Sequence, residues 1–390
     1  MLNVAVVGAG IAGLTTAAAL VRAGIPSQVY EQASALGEIG AGVQLAPNAT
    51  RLLGRFESIR LGERAVTPAA IEMRRWNDGG VLATTVLGQA CLDEFGAPYY
   101  TFHRADLHRC LHDLLPAGTV TLGRKCAGVR ETPEGAELRF ADGETVTADL
   151  VIGADGIHSA VRRLFATDHP RFSGQAIYRG LVPADRVPHL VAEPKVTIWP
   201  GPGRHCVTYP VAAGELVNVV ATTPVEDGWR TESWTAPGRI EDVLAGFAGW
   251  HDEVGALLRA VDAVTQWALH DRDPVERWSG ERVTLVGDAA HPMLPFAAQG
   301  ANQAVEDAFV LAECLRTADR ETVPAALRRY ESLRMPRTSE VQEQSRANQR
   351  NFHLTDTERR PDDGEANLRA LSALFAYDAE AEARAALTNR

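Results

Sequence analysis

The chain opens on NVAVVGAG, an unbroken apolar run that stops at a glycine cluster, and this pattern predicts a buried strand. The next stretch, IAGLTTAAALVRAG, carries apolar residues at helical spacing and ends at a glycine, which predicts a helix. SQVYEQ then predicts a second strand. A glycine-rich loop follows between Ser34 and Asn48, and a short helix is expected over Ala49–Leu61. IEMRRW and VLATTVL flank Asn77-Asp78-Gly79-Gly80 and read as two strands joined by a turn. A helix is expected from Ala105 to Leu115, stopped by Pro116 and Gly118.

Further along, AELRF, Asp142-Gly143 and TVTADLVIGADG predict a hairpin that feeds a second strand-loop-helix unit, with Ser159 and Arg162 on its helix. Residues Ile177 to Ala221 are rich in β-branched and aromatic side chains, broken by Pro and Gly, and predict a separate antiparallel sheet. One helix is expected over Ile240–Ala260. VTLVGDAAHP reads as a third buried strand ending in a loop, and mostly helix follows. Thr355–Glu365 reads as a charged loop, after which Leu368, Leu371, Leu374 and Phe375 recur at helical spacing.

At 390 residues the chain exceeds the usual size of one core, so two domains or one composite are expected. The net charge of −11 argues against nucleic acid as a main partner. No apolar run reaches membrane-spanning length, and the N-terminus lacks the basic region of a signal peptide. The five cysteines are scattered with no CxxC pair, which fits free thiols in a reducing cytoplasm.

The first chemical signal is Gly8-Ala9-Gly10-Ile11-Ala12-Gly13, placed between strand and helix. Gly8 permits a tight turn, Gly10 lets a pyrophosphate approach the backbone, and Gly13 lets helix and strand pack closely. The helix N-terminus offers N–H groups and partial positive charge to phosphates. Glu31, ending the next strand, is placed to accept hydrogen bonds from ribose hydroxyls. This motif alone leaves NAD and FAD open.

Two further blocks decide between them. ADLVIGADGIHSAVRR contains Asp155 and Gly156 after a strand, and VTLVGDAAHP contains Gly287 and Asp288. The three blocks, in this order and spacing, resemble the flavin-dependent aromatic monooxygenases of the para-hydroxybenzoate hydroxylase type. GAGVQLAPNA, HRADLH, RHCVTYPV and AQGANQAVEDA look closest to salicylate hydroxylase, 3-hydroxybenzoate 6-hydroxylase and 6-hydroxynicotinate 3-monooxygenase.

The resemblance implies an α/β fold: an FAD-binding Rossmann-like domain of the glutathione-reductase type, interleaved with a mixed or antiparallel β-sheet substrate domain and followed by a helical C-terminus. Residues 1–70, 100–172 and 275–335 are expected to bind FAD, 71–99 and 173–274 the substrate, with 336–390 helical. It also implies that Asp288 binds the ribityl chain and that Gly300, Ala301 and Asn302 present backbone N–H groups to the flavin's pyrimidine edge. Arg104 is expected at the pyrophosphate or ribityl region. Gln32, Val43, Cys126 and Asp155 are placed among the cofactor contacts by the same resemblance. Arg162 either joins them or supports the fold by pairing with Asp155.

The implied reaction consumes O2 and NADH or NADPH and hydroxylates a small aromatic acid through a flavin C4a-hydroperoxide, with coupled decarboxylation left open. Related oxidation of a secondary metabolite or antibiotic, or a flavin redox protein without oxygenase turnover, are the alternatives. His205 and Tyr209, four apart on an expected strand, share one face and are the catalytic candidates with Gln299. The resemblance is imperfect at Gln44 and Thr208, where related enzymes carry histidines. No metal is expected: His108 and His112 have metal-helix spacing but lack the glutamate of HExxH, and read as an exposed helix face. His291 reads as structural. A monomer or homodimer is expected.

Overall fold

The computed structural model describes residues 2–37, 41–225, 236–354 and 371–388. Two sheets organise it. The first has five parallel strands in the order β17 (Val283–Leu285), β11 (Leu150–Gly153), β1 (Val4–Val7), β2 (Ser27–Tyr30) and β7 (Val120–Thr121). β1 and β11 are buried at every position, as expected for parallel strands covered on both faces. The helices α1 (Ile11–Arg22), α2 (Pro47–Leu53) and α4 (Arg104–His112) contribute to the same core as this sheet. Beside it, β8 (Cys126–Thr132), β9 (Gly135–Phe140) and β10 (Thr145–Ala148) form a three-stranded antiparallel sheet that includes the expected hairpin.

The second large sheet has seven strands, in the order β16 (Thr265–Asp271), β12 (Arg171–Pro183), β15 (Leu216–Pro224), β14 (Arg204–Val211), β13 (Lys195–Gly201), β4 (Ala70–Arg74) and β5 (Val81–Val86). All pairs are antiparallel except β13 with β4. Its outer face is packed by α6 (Ile240–Gly246) and α7 (Asp252–Ala260) over Trp199, Cys206 and Val219. The short helices α3 (Gln89–Phe95) and α5 (His189–Ala192) border it. Between the two large sheets lies the ribbon of β3 (Gly42–Leu45) and β6 (Tyr100–His103), which joins them: Leu45 and Phe102 pack into the first core, while Gly42 meets the ring of Tyr209.

The mostly helical end comprises α8 (Gly300–Leu315), α9 (Val323–Phe352), α10 (371–376) and α11 (Ala379–Thr388). Leu374 and Phe375 are buried, and Phe375 packs 5.6 Å from Phe95 and 5.7 Å from Tyr99, ring to ring. The expected charged loop Thr355–Glu365, and Leu368, lie outside the described residues.

Four expected helices differ. The one expected over Ala49–Leu61 stops at Leu53, and the chain proceeds through turns to a short 3-10 segment at Leu61–Glu63. The helix over Ala105–Leu115 ends at His112, its last residues forming turns. The single helix over Ile240–Ala260 is two, because Gly249 takes a left-handed φ of 80° and Asp252-Glu253 favour a fresh N-terminus. After Asp155 there is only a 3-10 turn, Val161–Leu164. There the Asp155 carboxylate accepts the Ser159 hydroxyl (2.5 Å) and the N–H groups of Ala160 (2.7 Å) and Val161 (3.3 Å), gathering donors that a longer helix would have aligned along its axis.

Candidate active site

The three blocks singled out in the sequence follow β1, β11 and β17, adjacent parallel strands, so they meet at one edge of the sheet, where such folds bind ligands. Packing confirms the convergence. Gly8 has a φ of 101°, and a Cβ there would lie 2.5 Å from the Ala154 carbonyl oxygen, beside Asp155. A Cβ at Gly13 would run into the Gly8 carbonyl oxygen. Around Gly10 there is open space instead, the side from which a ligand can reach the backbone. Gly287 abuts Ala12 of α1 and Ala304 of α8.

Glu31 is fixed by two backbone donors, Ala9 at 2.7 Å and Ala33 at 2.8 Å, one to each carboxylate oxygen. Each oxygen keeps acceptor capacity for a hydroxyl. Gln32 is exposed beside it, and Val43 is half-buried on β3. Cys126 begins β8; burial, with Asp155 nearby, pushes its thiol up to about 11, so it is a neutral wall residue. Burial also raises the Asp155 carboxyl, against its three hydrogen bonds.

Asp288 retains exposed surface although protein crowds around it, which describes a carboxylate on the floor of an open cleft. That crowding raises its pKa, opposed by His291 and Arg104. Gly300 stands next to it, a Cβ there falling 3.9 Å from an Asp288 oxygen. The N-terminus of α8 has no side-chain cap, so the N–H groups of Gly300, Ala301 and Asn302 are offered toward the cleft. The Asn302 side chain is occupied: its Oδ1 accepts the Ala46 N–H (2.8 Å), and its Nδ2 donates to the carbonyls of Gln44 (3.1 Å) and Ala298 (2.7 Å). Open backbone at Gly10, an anchored acid at Glu31, an exposed carboxylate at Asp288 and an uncapped sixteen-residue helix fit a dinucleotide with a polar ring.

Across the cleft, β14 presents His205, Val207 and Tyr209 on the sheet's inner face, while Cys206 and Thr208 point outward. Gln44 accepts the Tyr99 hydroxyl at 2.6 Å and hydrogen-bonds the Tyr209 hydroxyl. Burial pushes Tyr209 up to about 12. His205 lies in a cage of Phe296, Phe352 and His353; its Nδ1 is 3.1 Å from His353 Nε2 and its Nε2 is 3.3 Å from Thr222 Oγ1. Burial, then His353, lowers its pKa well below the usual histidine value.

Gln299 is turned into the protein, its Oε1 3.2 Å from both Asn48 Nδ2 and Gln303 Nε2, and its side chain is buried. Arg162 pairs with Asp168 at 3.0 Å, not with Asp155, and donates to the carbonyls of Ala289 and Ala290, bracing the Asp288 loop. His108 is buried rather than exposed: its Nε2 is 2.7 Å from the Ala9 carbonyl, so α4 braces the glycine loop. His291 is buried, its Nε2 2.6 Å from an Asp307 carboxylate oxygen.

Sequence reasoning missed the support behind the cleft. Asp307 accepts the Gly287 N–H (2.8 Å), His291 (2.6 Å) and Arg334 (2.8 Å), and Arg334 also pairs with Glu306 at 2.6 Å. All four side chains are buried. Adjacent acids inside the apolar stretch EDAFVLAE are a sequence signal for buried ions; nothing local identifies Arg334 as their partner.

Comparison with known proteins agrees with this geometry. The FAD binding domain family matches residues 1–345. The chain is 52% identical to a 3-amino-4-hydroxybenzoate 2-monooxygenase of Streptomyces platensis, over 91% of this chain and 89% of that protein. It is 37% identical to a 6-hydroxynicotinate 3-monooxygenase of Pseudomonas fluorescens, over 89% of this chain and 91% of that protein. A salicylate hydroxylase substrate complex superposes with a TM-score of 0.83 at 32% identity, covering 98% of this chain and 97% of that one. The chain belongs to the FAD binding domain family and is an FAD-dependent aromatic-ring monooxygenase.

Proposed function

We propose that the substrate is a phenolic or hydroxy-heteroaromatic acid, with an amino-hydroxybenzoate the first to test, and that NAD(P)H and O2 are the co-substrates. The observation that carries this reading is the polar inner face of the second sheet, where Tyr209 keeps a hydroxyl proton beside Gln44. Identity of 52% to the 3-amino-4-hydroxybenzoate enzyme supports the choice of ring.

The bound flavin, once reduced, supplies oxygen activation; the residues of this chain position, exclude water and handle protons. The N–H groups at the start of α8 stabilise negative charge on the ring they face, an effect on the order of 1 kcal/mol. Asp288 and Glu31 hold hydroxyl-bearing parts of the cofactor. Tyr209 donates to the substrate's phenolic oxygen, and with a pKa about 12 it acts as donor and not as base. His205 stands about 13 Å away along β14, a separation that accepts one ring lengthwise, and its low pKa keeps it neutral. Gln299, turned inward, steadies the loop before α8 and does not touch the ring.

This reading divides the chain into cofactor-binding residues 1–70, 100–172 and 275–335, substrate-binding residues 71–99 and 173–274, and a helical remainder from 336. It places a monomer or homodimer in the cytoplasm. No helix among the described residues is long and apolar enough to cross a membrane. The test is product analysis: NADH or NADPH oxidation accelerated by 3-amino-4-hydroxybenzoate, with O2 consumed and a ring-hydroxylated product formed. Reduced-nicotinamide oxidation indifferent to every phenolic and pyridine acid tried contradicts it.

A further inference from the structure

The outer face of the second sheet is apolar where α6 and α7 cover Trp199 and Cys206, and it turns polar two residues further along. Glu72, Thr197 and Thr208 stand there in one row across β4, β13 and β14: Thr197 is registered with Glu72 on one side and with Thr208 on the other. All three are buried, Thr208 with 2% of its surface exposed. The row lines a cavity of about 330 Å³, bordered by His189 and Leu190 of α5 and by Glu253 in the first turn of α7. Strand β14 separates this cavity from the cofactor cleft, because Thr208 faces outward and the side chains of His205 and Tyr209 face inward.

Two groups of this lining lack partners. Neither the Thr197 nor the Thr208 hydroxyl has a hydrogen-bond partner among the described residues, although valine would suit both strand positions. A buried hydroxyl without a partner lowers stability, so a pair of them facing a cavity marks a place where a polar group is held. Arg74 gives its Nε to Glu72 at 2.5 Å, and the Lys195 ammonium lies 3.4 Å from the same carboxylate. Glu253 is held more loosely: Arg74 Nη1 is 3.9 Å and His189 Nε2 is 3.6 Å away, both beyond hydrogen-bond distance. The cavity therefore offers donors from the Arg74 fork and the two hydroxyls, and an acceptor at Glu253. Leu190, Pro210 and Val217 give it an apolar wall.

We propose that this cavity is a second ligand site, for a small zwitterionic amino acid with an apolar side chain. Its carboxylate takes the Thr197 and Thr208 hydroxyls and the terminal nitrogens of Arg74, its ammonium meets Glu253, and its side chain packs on Leu190, Pro210 and Val217. A ligand of zero net charge suits a lining in which Arg74 and Lys195 already face an acid. The site does not depend on the aromatic substrate argued above, since β14 stands between the two.

The test is titration calorimetry on the flavin-loaded enzyme with L-leucine and L-phenylalanine. The controls are 3-methylbutylamine and 4-methylpentanoate, which are leucine without its carboxylate and without its amine. At least one of the amino acids saturates a single site, and the amine and the acid bind roughly tenfold or more weakly. Thr197→Val and Thr208→Val each lower the amino-acid affinity roughly tenfold and leave FAD affinity unchanged. Flavin absorbance reports folding; if the valine variants do not fold, Glu253→Gln at the edge of the cavity carries the measurement, with roughly tenfold weaker binding of the amino acid. A parent that shows no saturable binding of either amino acid has a cavity filled by water alone, which overturns the proposal. Affinity unchanged in the folded variants overturns it as well. Binding abolished by saturating 3-amino-4-hydroxybenzoate overturns it by placing the amino acid in the aromatic cleft.

Discussion

Asp307→Asn tests how the cleft is held. In the parent, one carboxylate oxygen serves Gly287 N–H and His291 Nε2, and the other serves Arg334 Nε. An asparagine supplies one acceptor oxygen and turns an NH2 toward the remaining donor. If the oxygen keeps Gly287 and His291, the amide NH2 confronts the Arg334 guanidinium, which retains Glu306. One buried donor left unsatisfied costs about 1–3 kcal/mol. Removing half of a buried ion cluster moves the total toward about 3 kcal/mol, below the full loss for an unpaired charge because Glu306 remains. For a chain of this size that is a fall in melting temperature of roughly 4 °C.

The same carboxylate fixes the Gly287 N–H beside Asp288, so FAD affinity falls too, by roughly tenfold if about 1.4 kcal/mol is expressed in the loop. The pH dependence supplies a second check. Burial raises the Asp307 pKa, but His291 and Arg334 outweigh it and hold the carboxyl at about 2, below its unfolded value. A depressed carboxylate stabilises the fold above its unfolded pKa and loses that contribution as pH falls through the folded one. The stability gap between parent and variant therefore stays constant from neutral pH down to about pH 5 and closes between about pH 4 and pH 2. Thermal unfolding with and without FAD, and an FAD titration, measure both effects. Unchanged melting temperature and unchanged affinity refute the reasoning.

Two further outcomes follow from the site. Tyr209→Phe removes the hydroxyl beside Gln44, and His205→Asn opens the ring cage; each is expected to slow hydroxylation by roughly 10- to 100-fold while changing flavin reduction less, as read by stopped-flow absorbance. Equal effects on both half-reactions place these residues away from the substrate. EDTA is expected to leave turnover intact, because His108, one of the two histidines at metal-helix spacing, is spent on the Ala9 carbonyl. Activity lost to EDTA and restored by a divalent cation contradicts this.

The parts of the fold that were legible from sequence are those whose signals are local. Apolar strands ending in Gly8, Asp155 and Gly287 announce a parallel sheet, and the alternation along RHCVTYPV puts His205 and Tyr209 on one face. Helix ends were less legible, since Gly249 and the Asp155 carboxylate act through backbone geometry that apolar spacing does not record. Roles set by distant partners were least legible. His108 has the spacing of a surface pair but meets Ala9, Gln299 turns toward Asn48, and Arg162 finds Asp168.

The central claim is that the loops after β1, β11 and β17 close on one FAD, with Asp288 and the start of α8 at its ring end. FAD titration of flavin-free parent protein and of Asp288→Ala, followed by flavin fluorescence and the visible absorption band, tests it most directly. The account predicts saturable uptake of one FAD by the parent and affinity at least roughly tenfold weaker in the variant, the loss of about 1.4 kcal/mol or more. A parent that takes up no flavin, or a variant that binds it as tightly as the parent, contradicts the account.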